Sequence, residues 1–376
     1  MRVVLFCHSL LSDWNHGNAH FLRGVVVELQ SRGHQVDVYE PRDAWSAANL
    51  ASDHGDATLA ATLHAYPTLR ITRYDDALDL DVALSGADVV LVHEWNSPAL
   101  VARIGSHEQS TRHHLLLFHD THHRSVTDPE AMQQYDLSGY DGVLAFGETV
   151  RQQYLRQGWA SRVWTWHEAA DTRLFHPHPH VRRESQLVWI GNWGDDERTA
   201  ELHEFLIEPV SHLRLQALVH GVRYPQAGID ALSDAGIEYR GWLANYLVPA
   251  TFAHYQVTVH VPRRPYAEAL RGVPTIRPFE ALACGIPLIC APWSDEEGLF
   301  HPGRDYLVAH TGAEMRRHLT SILQDHDLAA SLSTSGRRTI ASRHTCAHRV
   351  NELLGIVSSL RGQGVQQAEA AVEVLG

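Results

Sequence analysis

Met1-Arg2-Val3-Val4-Leu5-Phe6-Cys7 opens the chain, and Val3–Cys7 is the short, continuous apolar run expected of a strand buried on both faces of a parallel sheet. A polar loop follows, Ser12-Asp13-Trp14-Asn15-His16-Gly17-Asn18. Phe21–Gln30 then shows helical spacing, with Phe21, Val25 and Leu29 on one face. Arg32-Gly33-His34 ends that helix through Gly33 at the position after its last turn. Val36-Asp37-Val38-Tyr39 reads as the next strand. This is one strand–helix–strand unit, and the right-handed crossover rule places its loop at the carboxyl edge of the sheet.

The alternation continues outward. Strands are predicted at Ala87–Val92, Leu115–Phe118, Gly142–Phe146 and Val163–Trp166, with a helix through Thr149–Gln157. The Pro- and His-rich stretch Phe175–His180 interrupts it and reads as a linker. Strands then recur at Leu187–Ile190, Leu215–Val219, Ile237–Arg240, Val257–His260, Pro287–Ala291 and near Tyr306–Val308, with a helix over Pro278–Cys284. The fold class expected is α/β: two facing, Rossmann-like, doubly wound domains with an interdomain cleft. The boundaries are an acceptor-binding domain over 1–176, a nucleotide-binding domain over 177–345 and a helical tail over 346–376.

Composition limits the function. Of 376 residues, 44% are apolar and 20% charged, which excludes low-complexity, collagen-like and wholly disordered chains. Lys+Arg 31 against Asp+Glu 44 leaves a net charge of −13. That field repels phosphate backbones and acidic membrane surfaces, so neither a nucleic-acid partner nor stable membrane insertion is expected. The first apolar run is too short for a signal peptide, and no stretch approaches the ~18 apolar residues of a membrane span; a cytoplasmic protein is expected. Cys7, Cys284, Cys290 and Cys346 form no C-x-x-C pair and read as reduced, buried thiols. There is no lysine. Any phosphate must therefore be met by guanidinium groups, helix N-termini or histidine. Histidine is abundant, at 28 residues, most of which must be surface or loop residues.

Thr275-Ile276-Arg277-Pro278-Phe279-Glu280-Ala281-Leu282-Ala283-Cys284-Gly285-Ile286-Pro287-Leu288-Ile289 resembles the C-domain signature of group 1 nucleotide-sugar glycosyltransferases of the two-Rossmann (GT-B) fold. Its Arg-x-Phe-Glu-Ala-Leu-Ala-Cys-Gly form is similar to the subgroup containing spore-maturation glycosyltransferases. His16-Gly17-Asn18, Ala170-Asp171-Thr172-Arg173-Leu174-Phe175-His176-Pro177 and Gly298-Leu299-Phe300-His301-Pro302-Gly303 look like further marks of that family, in the expected order. The resemblance implies glycosyl transfer from a nucleotide sugar, UDP-linked or alternatively GDP-linked, with no cofactor and no metal. The acceptor is a small molecule, glycan or protein.

Such a reaction needs donors and cations at the leaving diphosphate. The turn Gly272–Arg277, running into the signature helix, supplies backbone N–H groups at Thr275 and Ile276 and the guanidinium of Arg277. The alternative for Arg277 is a bridge to a neighbouring carboxylate, with phosphate the favoured partner. The resemblance implies a ribose contact for Glu280. It departs from the family where Gly272 replaces an acidic residue, and Glu268 is the substitute the sequence offers. Arg198, after Gly191–Glu197, meets either phosphate or its acidic neighbours. The resemblance implies that Trp242 or Leu243 flanks the base; the alternative for Trp242 is packing in a core. Arg263 or Arg264 reaches the diphosphate or the acceptor. Gly17 permits close approach from the other domain. His119 ends a strand and is expected to project into the cleft as a catalytic group. A metal site from His119, His122 and His123 is disfavoured, because adjacent residues do not easily share one ion. The alternatives to a glycosyltransferase are a nucleotide-sugar epimerase on the same fold and a non-catalytic sugar-nucleotide-binding protein.

Overall fold

The computed structural model describes residues 1–111 and 114–375. The first sheet holds β1 (Arg2–Phe6), β2 (Gln35–Pro41), β3 (Ile71–Tyr74), β4 (Val89–His93), β5 (Leu115–Asp120), β6 (Gly142–Ala145) and β7 (Val163–Thr165). They are all parallel, in the order β3-β2-β1-β4-β5-β6-β7. The second sheet holds β8 (Ser185–Ile190), β9 (Ala217–His220), β10 (Ile237–Tyr239), β11 (Tyr255–His260), β12 (Leu288–Cys290) and β13 (Leu307–Val308). Its order, β10-β9-β8-β11-β12-β13, repeats the first, again all parallel. In each sheet the strand order reverses beside the first strand, and the crevice at that point is where such folds hold ligands.

The apolar run at the start of the chain serves two cores at once. Val3 and Leu5 of β1 face one cluster, with Phe21, Val25 and Leu29. Val4 and Phe6 face the other, with Val90, Val92 and Phe118. This is why the strand shows no polar alternation. The first helix runs from Asn18 to Ser31 and ends as its sequence predicts: Gly33 has φ +81 and the His34 N–H donates to the Leu29 carbonyl. The signature helix begins at Ile276, two residues before the expected Pro278. A proline in the first turn loses no intrahelical bond, because those N–H groups have no partner there anyway. The sequence reading assigned nothing between Tyr39 and Ala87. There β3 is a four-residue edge strand without a fully buried residue, so it carries no apolar run to read.

The C-terminal helix, Cys346–Leu375, turns back to the first domain. Val350, Leu353, Val357 and Leu360 are buried in the same cluster as Phe21 and Trp166, and the Trp166 Nε1–H donates to the Arg349 carbonyl at 2.8 Å. That cluster continues through Phe175 to Phe279 of the signature helix and Cys290 of β12, so one apolar body joins both domains. Gly24 of the first helix marks its tightest point. A Cβ there would lie 2.5 Å from Cys346 Sγ and 2.8 Å from Asp171 Cβ. Gly24→Ala is therefore expected to lower stability by about 1–3 kcal/mol, outweighing the ~1 kcal/mol of helix propensity it adds. A urea midpoint equal to or above that of the wild type would refute this packing.

Candidate functional site: an arginine-lined cleft between the domains

The carboxyl edges of the two sheets face each other across a cleft of ≈ 690 Å³. Its walls are the loops that follow β1, β5, β8 and β11 and the start of the signature helix. Two helix N-termini meet here. Gly17, at the head of the first helix, approaches Ile276 so closely that a Cβ would stand 3.2 Å from its Cγ2. Thr275 precedes the signature helix without capping it, its Oγ1 lying 3.2 Å from His260 Nε2 instead. Two positive helix ends thus converge on one space.

Five arginines line the cleft, Arg124, Arg198, Arg223, Arg263 and Arg277, of which Arg198, Arg263 and Arg277 lie on the loops of the second domain that follow β8 and β11 and at the start of the signature helix. Arg198 is held by carbonyls alone: Nη1 donates to Val261 O at 2.8 Å, Nε to Trp193 O at 3.2 Å and Nη2 to Asn192 O. It lies over the Trp189 ring at 5.2 Å. Burial, then repulsion from Arg263, lowers its pKa to about 10, and it remains a cation at neutral pH. Arg263 pairs with Glu197 at 3.2 Å and Arg277 with Glu280. Of the two readings of Arg277, contact with a carboxylate is thus realised, while its side chain still lines the cleft. Trp242, Leu243, Thr275 and Ile276 line it too. Trp242 Nε1 is engaged by Asp13 Oδ1 at 3.0 Å.

Three expectations need correction. Arg264 turns away, towards Glu201 and the Asp196 carbonyl, and only Arg263 faces the cleft. Arg263 lies in the loop before the short Pro265–Ala269 helical turn and pairs with Glu197, whereas Arg264 caps that turn and is drawn to Glu201. Glu280 is 0% exposed. Its Oε1 accepts from Asn245 Nδ2 at 2.7 Å and faces His20 Nδ1 at 3.2 Å, while Oε2 meets Arg277. It therefore anchors Arg277 and Asn245 from behind the wall. His119, 1% exposed, shares the face of β5 that carries Leu117, and its ring packs on Trp166 and His93 at centroid distances of 4.9 and 5.2 Å. It points into the core, not the cleft, so it does not join His122 and His123. Strand parity held the signal: Leu117 and His119 must share a face. Glu268 is exposed and outside the cleft. Gly272 has φ +88, and a Cβ there would meet Glu297 Cγ at 2.8 Å, so no acidic side chain fits.

The sequence reading missed the residues that close the cleft. Asp13 accepts from Arg23 Nη1 at 2.9 Å, and across the domains from Trp242 and the Asn245 N–H. Asn15 and Asn192 also bond across it, at 2.5 Å. On the first domain, Trp45, Trp95 and His122 form an aromatic wall, with the Arg124 guanidinium 4.5 Å above Trp95. The only signal for these was position, in loops at carboxyl strand ends.

Residues 198–355 match a family model described as glycosyl transferase-like. No curated protein matches the sequence. A glycosyltransferase from Rickettsia africae ESF-5 shares the fold at a TM-score of 0.67 and 11% identity, over 96% of this chain and 98% of that one. Sucrose-phosphate synthase from Thermosynechococcus elongatus does so at 0.62 and 16%, over 99% and 100%. HepE from Anabaena, in complex with UDP-glucose, does so at 0.63 and 12%, over 96% and 100%. The architecture is the GT-B arrangement of two facing α/β domains. Among the described residues no helix is long and apolar enough to cross a membrane.

Buried imidazoles make this structure acid-sensitive. Burial lowers His20, His93, His260 and His344 to about 3, and His8 and His123 to about 4. The unfolded chain takes protons at these rings below about pH 6.5, whereas the folded chain refuses them until about pH 3–4. The carboxyls of Glu40, Glu94, Asp120, Glu168, Glu280 and Asp295, raised by burial, act in the opposite direction, but His16, His119 and His122 are lowered as well, so the depressed imidazoles outnumber them. Stability should therefore fall from pH 6.5 towards pH 4. A melting temperature that stays flat or rises over that interval would contradict the neutral, buried state of these rings.

Proposed function

We propose that this chain is a glycosyltransferase that moves a hexose from a nucleotide-sugar donor, UDP-linked in the first instance and GDP-linked as the alternative, to an acceptor on the first domain. The observation that carries this reading is the convergence of two helix N-termini with Arg198, Arg263 and Arg277 on one cleft. Only Arg198 among these cations lacks a carboxylate partner among the described residues. A diphosphate would relieve the mutual repulsion of the three groups. The glycosyl transferase-like match over 198–355 supports the same reading. The Arg277–Gly285 stretch supports kinship with the spore-maturation subgroup, and HepE's complex with UDP-glucose supports uridine as the base.

In the reaction the bond between the anomeric carbon and the β-phosphate oxygen breaks while the acceptor's hydroxyl oxygen bonds to that carbon, and the hydroxyl proton passes to the departing diphosphate or to water. Negative charge grows on the departing nucleoside diphosphate. Guanidinium groups and helix ends already aimed at that position stabilise it without reorganising. Trp45 and Trp95 offer aromatic faces to an acceptor on the opposite wall, a small molecule, a glycan or a protein side chain.

Arg277 is not a clean probe, because its removal strands buried Glu280 without its cation. Arg198→Ala and Arg263→Ala are expected to weaken UDP binding ten- to a hundredfold each, about 1.5–3 kcal/mol, in calorimetric titrations. UDP affinity within twofold of wild type in both variants would refute the diphosphate site. Turnover is read as UDP release from UDP-glucose across a panel of hydroxyl acceptors.

A further inference from the structure

Five carboxylates line the cleft: Asp13, Asp128, Glu168, Asp195 and Glu197. Four are occupied. Asp13 holds Arg23 and Trp242, Asp128 accepts from the Ala131 N–H, Asp195 pairs with Arg223, and Glu197 pairs with Arg263. Glu168 is the exception. It lies three residues beyond β7, on the segment that leads into the second domain, and it is 2% exposed. Its main chain is tied down where its carbonyl accepts from Arg349 Nε at 3.4 Å. Its side chain has no hydrogen bond or ion pair among the described residues, and Oε1 is buried without a partner.

A buried polar group without a partner is costly, and natural folds seldom retain one. Burial, with Glu280 and Glu94 nearby, pushes the carboxyl well above its ordinary pKa, against the pull of Arg277. A neutral carboxyl has one O–H donor and a free acceptor, which matches neighbouring hydroxyls on a sugar ring. In that protonated form the carboxyl does not repel a diphosphate beside Arg277. We propose that Glu168 is a donor-sugar-binding residue, its carboxyl hydrogen-bonding hydroxyls of the hexose attached to the nucleotide. This rests on the nucleotide-sugar reading of the cleft. It places the acidic contact on the interdomain segment, since Gly272 cannot bear a side chain and Glu268 lies outside the cleft.

The test is calorimetric titration of the full chain with UDP and with UDP-glucose, in wild type, Glu168→Ala and Glu168→Gln. Glu168→Ala should weaken UDP-glucose binding about tenfold and UDP binding less than twofold. Glu168→Gln, which keeps a donor and an acceptor, should restore UDP-glucose affinity to within about threefold of wild type. Both variants should melt no lower than wild type, because the group removed has no partner in the unliganded protein. Any other pattern in a chain that binds UDP overturns the role of Glu168 and leaves the donor reading standing. A wild-type chain that binds neither ligand overturns both.

Discussion

The geometry of the cleft depends on one carboxylate. Asp13 sits in the loop after β1, at the point where the strand order of the first sheet reverses. It accepts from Arg23 of its own domain and from Trp242 and Asn245 of the other. Arg23 is fully buried, donates to the Leu10 carbonyl at 2.7 Å and lies 5.2 Å from the Tyr66 ring centre. A charge-assisted contact of this kind is stronger than a neutral one, and here it is anchored in a packed interior. The second domain is therefore referenced to the floor of the first. Asn245 extends the reference to Glu280, and Glu280 to Arg277. The position of a cation in the cleft is thus set by a chain of buried polar contacts from the opposite domain.

His20 shows how that chain is kept uncharged where it must be. The Asp171 N–H donates to its Nε2 at 3.0 Å, which puts the ring proton on Nδ1, facing Asn245 Oδ1 at 3.1 Å and Glu280 Oε1 at 3.2 Å. Its depressed pKa keeps the imidazole neutral, leaving Arg277 as the cation paired with Glu280. His344 is fixed likewise, between the Arg349 guanidinium and the Leu299 carbonyl. Many histidines of this chain thus serve as neutral, oriented hydrogen-bonding rings in the interior. Most of the described histidines are not buried, as expected; buried rings such as His20 and His344 are satisfied by one donor and one acceptor.

The absence of lysine sharpens the same logic. Arg198 is stabilised by three backbone carbonyls and an indole face, a planar arrangement that an ammonium group does not reproduce. Its charge is fixed in place without being neutralised. The acidic net charge of the chain and the guanidinium groups of the cleft coexist because the carboxylates of the cleft, Glu168 excepted, are already engaged.

The sequence alone determined the alternation of strand and helix, and with it two parallel sheets whose carboxyl edges carry the loops of interest. A doubly buried strand must read as Val3–Cys7 reads, and a helix must close as Gly33 closes it, since both patterns are local. It also determined that arginine would be the only fixed cation and that Gly17, Arg198 and the Thr275–Arg277 turn would lie at loop–helix edges. The tertiary structure decided what those side chains face. Arg263 rather than Arg264 enters the cleft, Glu280 is withdrawn behind Arg277, and His119 packs under the floor while Thr121, two residues on, reaches the wall. Asp13 and Glu168 had no local mark at all. Their significance arises only when a second domain, more than a hundred residues away for Asp13, brings Trp242, Asn245 and Arg277 to them, and no pattern within a few residues of either position encodes that approach.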